Sequence, residues 1–276
     1  MNMKRIRFAA LLLLSLMVWL NFSGCSGGLD DVKDGNAAVT RGDYDKAIRL
    51  YTKAIESNRL SRENLGIAYY SRGSAWDDKG DYDKAIADYT KAIEINPRDA
   101  IVYYNRGITW GNKNNYDKAI ADYTKAIEID PKYAEAYNNR GTAWDDKGDY
   151  DKAIADYTKA IEIIPKDADA YFNRGNVWHH KDDYDKAIDD YTKAIEINPK
   201  HEGAYYNRGQ AWYNSNRDYD KAIADFTKTI EINPKCAKAY YSRGLVWKQK
   251  RNNYRANADY NKAIELDPEL RQSPKY

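Results

Sequence analysis

A segment of about 34 residues that recurs through most of the chain constrains its fold more than any other feature. The cleanest copy is DYDKAIADYTKAIEI, from Asp149 to Ile163. Tyr150, Ala153, Ile154, Tyr157, Ala160 and Ile161 recur at helical spacing, which makes one apolar stripe on an α-helix. Asp149 stands where an N-cap acceptor is wanted and Asp151 suits the positive end of the helix dipole. Lys152 and Lys159 project on the polar side. Aligned on the alanine after "DK", the copies fall at Ala47, Ala85, Ala119, Ala153, Ala187, Ala222 and, degraded, Ala256. The steps are 38, 34, 34, 34, 35 and 34 residues.

A different helix precedes each copy. From Ala136 the chain reads AYNNRGTAWDDKG, with Tyr137, Gly141 and Trp144 on one face, and Gly148 and Asp149 closing that helix and opening the next. Pro97, Pro131, Pro165, Pro199, Pro234 and Pro268 follow the second helix, where proline cannot continue it. In the unit from Ala100 to Tyr133, Tyr103, Gly107, Trp110, Ala119, Tyr123, Ala126 and Pro131 stand at fixed offsets. This pattern resembles the tetratricopeptide repeat, with Tyr103 at the family's Trp position and Arg106 where Leu is usual.

The resemblance implies an all-α chain: an α-solenoid, a right-handed superhelix of about seven helix-turn-helix units spanning 29–268. The units fall at about 28–65, 66–99, 100–133, 134–167, 168–201, 202–236 and 237–268, leaving a tail at 269–276. One unit alone has too few apolar side chains to offset its ordering entropy, so stacking must complete the core. The first unit lacks the later Tyr and Trp on its first helix and reads as a cap. One extra residue lengthens a turn between Trp212 and Ala222. After Ile264 too little chain remains for a covering helix, so the C-terminal end is a candidate for self-association or another contact.

Residues 1–25 read as a leader. Lys4, Arg5 and Arg7 precede an apolar run from Phe8 to Leu20, then Phe22, Ser23, Gly24 and Cys25. The run is short for a membrane span. The pattern is similar to a bacterial lipoprotein signal, in which the cysteine, here Cys25, receives lipid and becomes the new N-terminus. Ser26 to Gly28 then read as a flexible tether. That resemblance implies an envelope protein facing the periplasm or exterior, with the outer membrane favoured by Ser26. Without the three leader bases, 41 basic residues face 42 acidic ones, interleaved in every unit, which argues against a nucleic-acid partner. With Cys25 lipidated, Cys236 has no partner for an intramolecular disulfide.

What every unit carries serves the unit; what differs is free to serve a site. Arg72, Arg106, Arg140, Arg174, Arg208 and Arg243 recur on the first helix, and Asp88, Asp122, Asp156, Asp190, Asp225 and Asp259 on the second. These rows predict a structural Arg–Asp ladder with bidentate geometry. The family resemblance implies that the first helices line the inner wall. The candidate groove residues there are Tyr70, Tyr104, Asn138, Phe172, Tyr206 and Tyr241, joined by the adjacent Asn105, Asn139, Asn173 and Asn207. Aromatic contact and amide hydrogen bonds would hold an extended peptide. Near the helix ends the residues run from Asp77–Asp78 through Asp145–Asp146 and His179–His180 to Lys248–Gln249, acidic to basic.

Some family members clamp a C-terminal carboxylate with Lys and Asn, but no unit has the required Lys in the strip, so that function is not carried over. No catalytic fingerprint appears, and no cofactor is implied. A metal-dependent enzyme at His179 and His180, helped by Asp182 and Asp183, is a remote alternative. The expected function is a membrane-anchored, non-enzymatic scaffold for a protein or peptide partner, with a passive surface spacer as the alternative.

Overall fold

The computed structural model describes residues 26–215 and 218–272. They form seven antiparallel helix pairs: α1 Ser26–Thr40 with α2 Tyr44–Glu56, α3 Arg62–Asp78 with α4 Tyr82–Ile95, and α5 Ala100–Asn112 with α6 Tyr116–Ile129. Then come α7 Ala134–Asp146 with α8 Tyr150–Ile163, α9 Ala168–His180 with α10 Tyr184–Ile197, α11 Glu202–Asn214 with α12 Tyr219–Ile232, and α13 Ala237–Gln249 with α14 Asn253–Leu266. A short 3-10 turn, Pro268–Gln272, packs back on α14. No strand occurs among the described residues. The fold is an α-solenoid. Cys25 lies outside the described residues, and the lengthened turn before Ala222 lies partly outside them.

Local chemistry sets each boundary. The second helices start at Asp43, Asp81, Asn115, Asp149, Asp183, Asp218 and Asn252, whose side chains each accept the backbone N–H three residues on. The turn before α8 needs a left-handed residue, supplied by Gly148 at φ 78. Within each pair a glycine on the first helix lets an aromatic ring of the second close in. A Cβ on Gly107 would sit 2.7 Å from Tyr123, and one on Gly175 would sit 2.8 Å from Tyr191. The row Tyr51, Tyr89, Tyr123, Tyr157, Tyr191, Phe226 and Tyr260 is therefore buried against the backbone of its partner helix.

The two rows of charge meet. Arg140 donates Nε and Nη2 to the two carboxylate oxygens of Asp156 at 2.8 and 2.7 Å. The same fork joins Arg72 to Asp88, Arg106 to Asp122, Arg174 to Asp190, Arg208 to Asp225 and Arg243 to Asp259. The remaining guanidinium nitrogen reaches the preceding unit: Arg140 Nη1 donates to Thr124 Oγ1 at 3.0 Å. Thr52, Thr90, Thr158, Thr192 and Thr227 accept from the other five arginines. Each arginine thus ties its own hairpin to the one before.

Neighbouring first helices touch one another across units, from α1 to α13, whereas the second helices do not. The stack therefore bends toward the first helices, which form the inner wall. Ser26 to Gly28, expected as a tether, instead open α1: Gly28 is buried, its Cβ position 3.0 Å from Ser57 Oγ and 3.2 Å from Leu60. That contact fixes the backbone that composition alone would leave free.

Replacing Arg140 by Met should cost about 3 kcal/mol, because Asp156, 6% exposed, is left buried and unpaired. Adding Asp156→Leu, the residue type that Leu50 supplies in the first unit, should restore most of it. Urea denaturation of both variants measures the difference.

Candidate functional site

The sequence-expected groove residues come together on one surface. Tyr70, Tyr104, Asn138, Phe172, Tyr206 and Tyr241 are all half-buried, one per first helix from α3 to α13. The strip rings rest on the buried row beneath: Tyr70 on Tyr89 and Tyr104 on Tyr123, both at 5.9 Å between centroids, with Phe172, Tyr206 and Tyr241 placed alike. The strip is thus core on one side and wall on the other. Burial pushes the Tyr70 phenol up to about 12, so it stays a neutral donor at physiological pH.

The asparagines adjacent to the strip are partly committed to the wall itself. Asn105 Nδ2 donates to Tyr70 Oη at 3.2 Å and to the Ile101 carbonyl at 2.9 Å. Asn139 Nδ2 donates to Tyr104 Oη at 3.0 Å, and Asn173 Nδ2 to Asn138 Oδ1 at 3.3 Å. Phe172 offers no hydroxyl, and Asn207 turns to Asn176 Oδ1 at 2.7 Å. These links run between units. An amide has two N–H donors and a carbonyl, so Asn139 and Asn173 each keep a donor for a ligand beyond these bonds.

The wall has members that the sequence reading passed over. Tyr133, in the turn before α7, packs on Tyr104 at 4.8 Å, and His201, before α11, packs on Phe172 at 4.6 Å. His201 Nδ1 accepts the Ala204 N–H at 3.1 Å, which puts its proton on Nε2, 3.4 Å from Asp169. One turn before the strip, Ile67, Ile101, Glu135 and Asp169 are exposed. The signal for these was available, since they stand three residues before each strip position.

Beneath the wall the buried hydroxyls are matched to it unit by unit. Tyr51 donates to Asn36 at 2.7 Å, Tyr191 to Asn176 at 2.9 Å, and Tyr157 pairs with Thr142 at 3.0 Å. Where the wall residue is Ile108 or Leu245, Tyr123 and Tyr260 keep an unpartnered hydroxyl. Where the core ring is Phe226, Gln210 turns to Tyr206 Oη at 3.2 Å.

The histidine alternative does not survive the geometry. His179 packs edge-on to Tyr184, whereas His180 lies over Tyr150 with Nδ1 3.4 Å from Asp145. Asp182 accepts from Tyr184 Oη at 2.6 Å, and Asp183 caps α10. Adjacent helical side chains point about 100° apart, so these four groups do not converge. No cluster of three or more ligating side chains occurs among the described residues.

At both ends of the described array the repeat is broken by substitution. The first unit has Asp34 and Leu50 in place of the staple's Arg and Asp. In α14, Asn257 and Asn261, both exposed, replace the Ile and Thr that earlier units pack on the next hairpin. The C-terminal face expected to be apolar is thus polar at those positions.

Tetratricopeptide-repeat family models match residues 66–99, 100–133, 134–167 and 168–201, residues 206–270, and residues 35–64. The chain belongs to the tetratricopeptide-repeat family. Such TPR proteins are generally non-enzymatic scaffolds that bind proteins or peptides. No curated protein matches the chain. Among solved structures, MamA is 30% identical, with a TM-score of 0.56 over 60% of this chain and 96% of its own. YrrB, described as a TPR protein with an unusual peptide-binding site, is 30% identical, with a TM-score of 0.56 over 65% of this chain and 92% of its own. The C-terminal part of a TPR protein from Cytophaga hutchinsonii, 21% identical, shares the fold with a TM-score of 0.72 over 88% of this chain and 96% of its own.

Tyr123→Phe should be neutral or stabilising by up to about 1 kcal/mol, because it removes a buried hydroxyl without a partner. Tyr191→Phe, which breaks the bond to Asn176, should instead cost about 1 kcal/mol. Paired thermal denaturation distinguishes the two.

Proposed function

We propose that this TPR protein is a membrane-anchored, non-enzymatic scaffold of the bacterial cell envelope that holds an extended segment of a partner protein along the inner wall. One observation carries the reading: the staple, caps and core rings repeat from unit to unit, whereas the side chains that break the repeat are gathered on the wall. The likeness to YrrB, itself described by a peptide-binding site, supports the same use.

Anchoring rests on the leader and Cys25. Lipid on the cysteine would supply the attachment; no helix among the described residues is long and apolar enough to cross a membrane. A passive spacer is the second reading. It draws on the wall asparagines that already donate to neighbouring units.

A photo-crosslinking residue in place of Thr142, in the full chain in its own cells, should give a discrete adduct. The adduct should vanish in a Tyr104→Ala, Phe172→Ala, Tyr206→Ala variant that keeps its helical circular dichroism. Adducts unchanged in the folded variant would count against the wall. Cys25→Ala should move the protein from the membrane to the soluble fraction; unaltered membrane attachment would count against the lipid anchor.

A further inference from the structure

The wall is depleted of one kind of charge. Its six positions per unit are those occupied in the second unit by Ile67, Tyr70, Ser71, Ser74, Asp77 and Asp78. In units two to six these positions carry six carboxylates and no Lys or Arg, in a chain that has 44 Lys and Arg in all. Basic side chains return to the wall in unit seven, at Lys238 and Lys248.

Elsewhere the repeat supplies cations to its carboxylates. The buried aspartates have their arginines, Glu94, Glu128, Glu162, Glu196, Glu231 and Glu265 have a lysine three residues before them, and Asp83 has Lys113 at 2.6 Å in the next unit. At the middle of the wall, among the described residues, Asp145 has the His180 imidazole at 3.4 Å as its ion-pair contact, and Asp146 beside it forms no salt bridge with a Lys or Arg. Burial holds both carboxyls above their usual range, and Asp145 adds to the rise at Asp146. His179 is pushed below its usual range by burial, which disfavours its charged form. Aromatic rings flank this acidic stretch, Tyr104 with Tyr133 before it and Phe172 with His201 after it. Carboxylates set between ring faces suit lysine and arginine side chains, whose stems lie on apolar surface and whose heads seek anions. The chain already makes this kind of contact elsewhere: Lys152 lies 4.3 Å from the Trp144 ring centre while bonded to Asp149 at 2.6 Å.

We infer that the occupant of the wall is a cationic extended segment, a peptide stretch bearing several Lys or Arg side chains that seat against Glu135, Asp145, Asp146 and Asp169. This rests on the reading of the wall as a peptide-binding surface and adds the sign of the partner's charge. An acidic tail is disfavoured by the same field, because it would meet six carboxylates before it reached Lys238.

The test uses the full chain and three amidated nine-residue peptides on one Gly/Tyr background, with Lys, Gln or Glu at every second position, read by fluorescence anisotropy. The Lys peptide should bind at least about tenfold tighter than the Gln peptide and the Glu peptide weakest, with the margin shrinking as salt rises from about 0.05 to 0.5 M. Asp145→Asn with Asp146→Asn should remove most of that margin, while Glu128→Gln, on the second helix of its unit, should leave it intact. The single Asp146→Asn serves as the folded variant if the double one unfolds. Equal binding of all three peptides, lost in the Tyr104, Phe172 and Tyr206 variant, overturns the charge preference and leaves the peptide-binding surface standing. Tightest binding of the Glu peptide also overturns it. Binding of none of the three overturns both. A dimer that dissociates on Asp145→Asn and Asp146→Asn, found by sedimentation, would make the occupant a second copy and overturn a separate partner.

Discussion

The three-way bond of each first-helix arginine is the interaction on which the array depends. A carboxylate that takes two parallel N–H bonds fixes the guanidinium plane, and the third nitrogen then points at a single place on the preceding hairpin. Lysine could neutralise Asp156 but has no fork with which to reach Thr124 as well. The ring of the tyrosine one turn earlier lies under the same group, with Arg140 Cζ 5.5 Å from the centre of Tyr137. Because the arginine row sits on the first helices and its threonine partners on the second helices of the preceding units, every hairpin is set down on its predecessor in the same way. Constant offset is what turns a repeat in sequence into a continuous curved wall.

Much of this was legible from the residues. The period, the glycine-backed aromatic row and the two charge rows all stand at fixed offsets, and the Arg–Asp bonds join residues 16 or 17 apart in one unit. The threonine was harder to see. Thr90 also recurs, but on its own helix it back-bonds the Ile86 carbonyl at 2.7 Å, as any helical threonine does, and its partner Arg106 lies in the next unit. The inter-unit bonds of the asparagine row were hard to see for a related reason. Asn139 and Tyr104 are 35 residues apart, and only the stacking offset between two adjacent units decides that an amide meets a hydroxyl before it meets a ligand. The tether failed on tertiary contact: Ser26 to Gly28 carry no helix-forming pattern, and the packing of Gly28 on Ser57 and Leu60 supplies what propensity does not.

Repetition also sorts the electrostatics. A Lys–Glu pair three residues apart is a short dipole on an exposed face, weak in energy and screened within about a Debye length. The field that reaches a partner therefore depends most on charges outside these repeated pairs, and the six carboxylates of the first-helix wall are among them. Curvature adds to them, since carboxylates on neighbouring inner helices face a common space while those on the outer helices splay apart. An array held together by identical bonds can keep its shape whatever stands at Glu135 or Asp146, because neither position takes part in the staple or the buried ring row. Shape and recognition are consequently carried by different residues of the same helices, and the places where the period is broken hold the information about what the wall accepts.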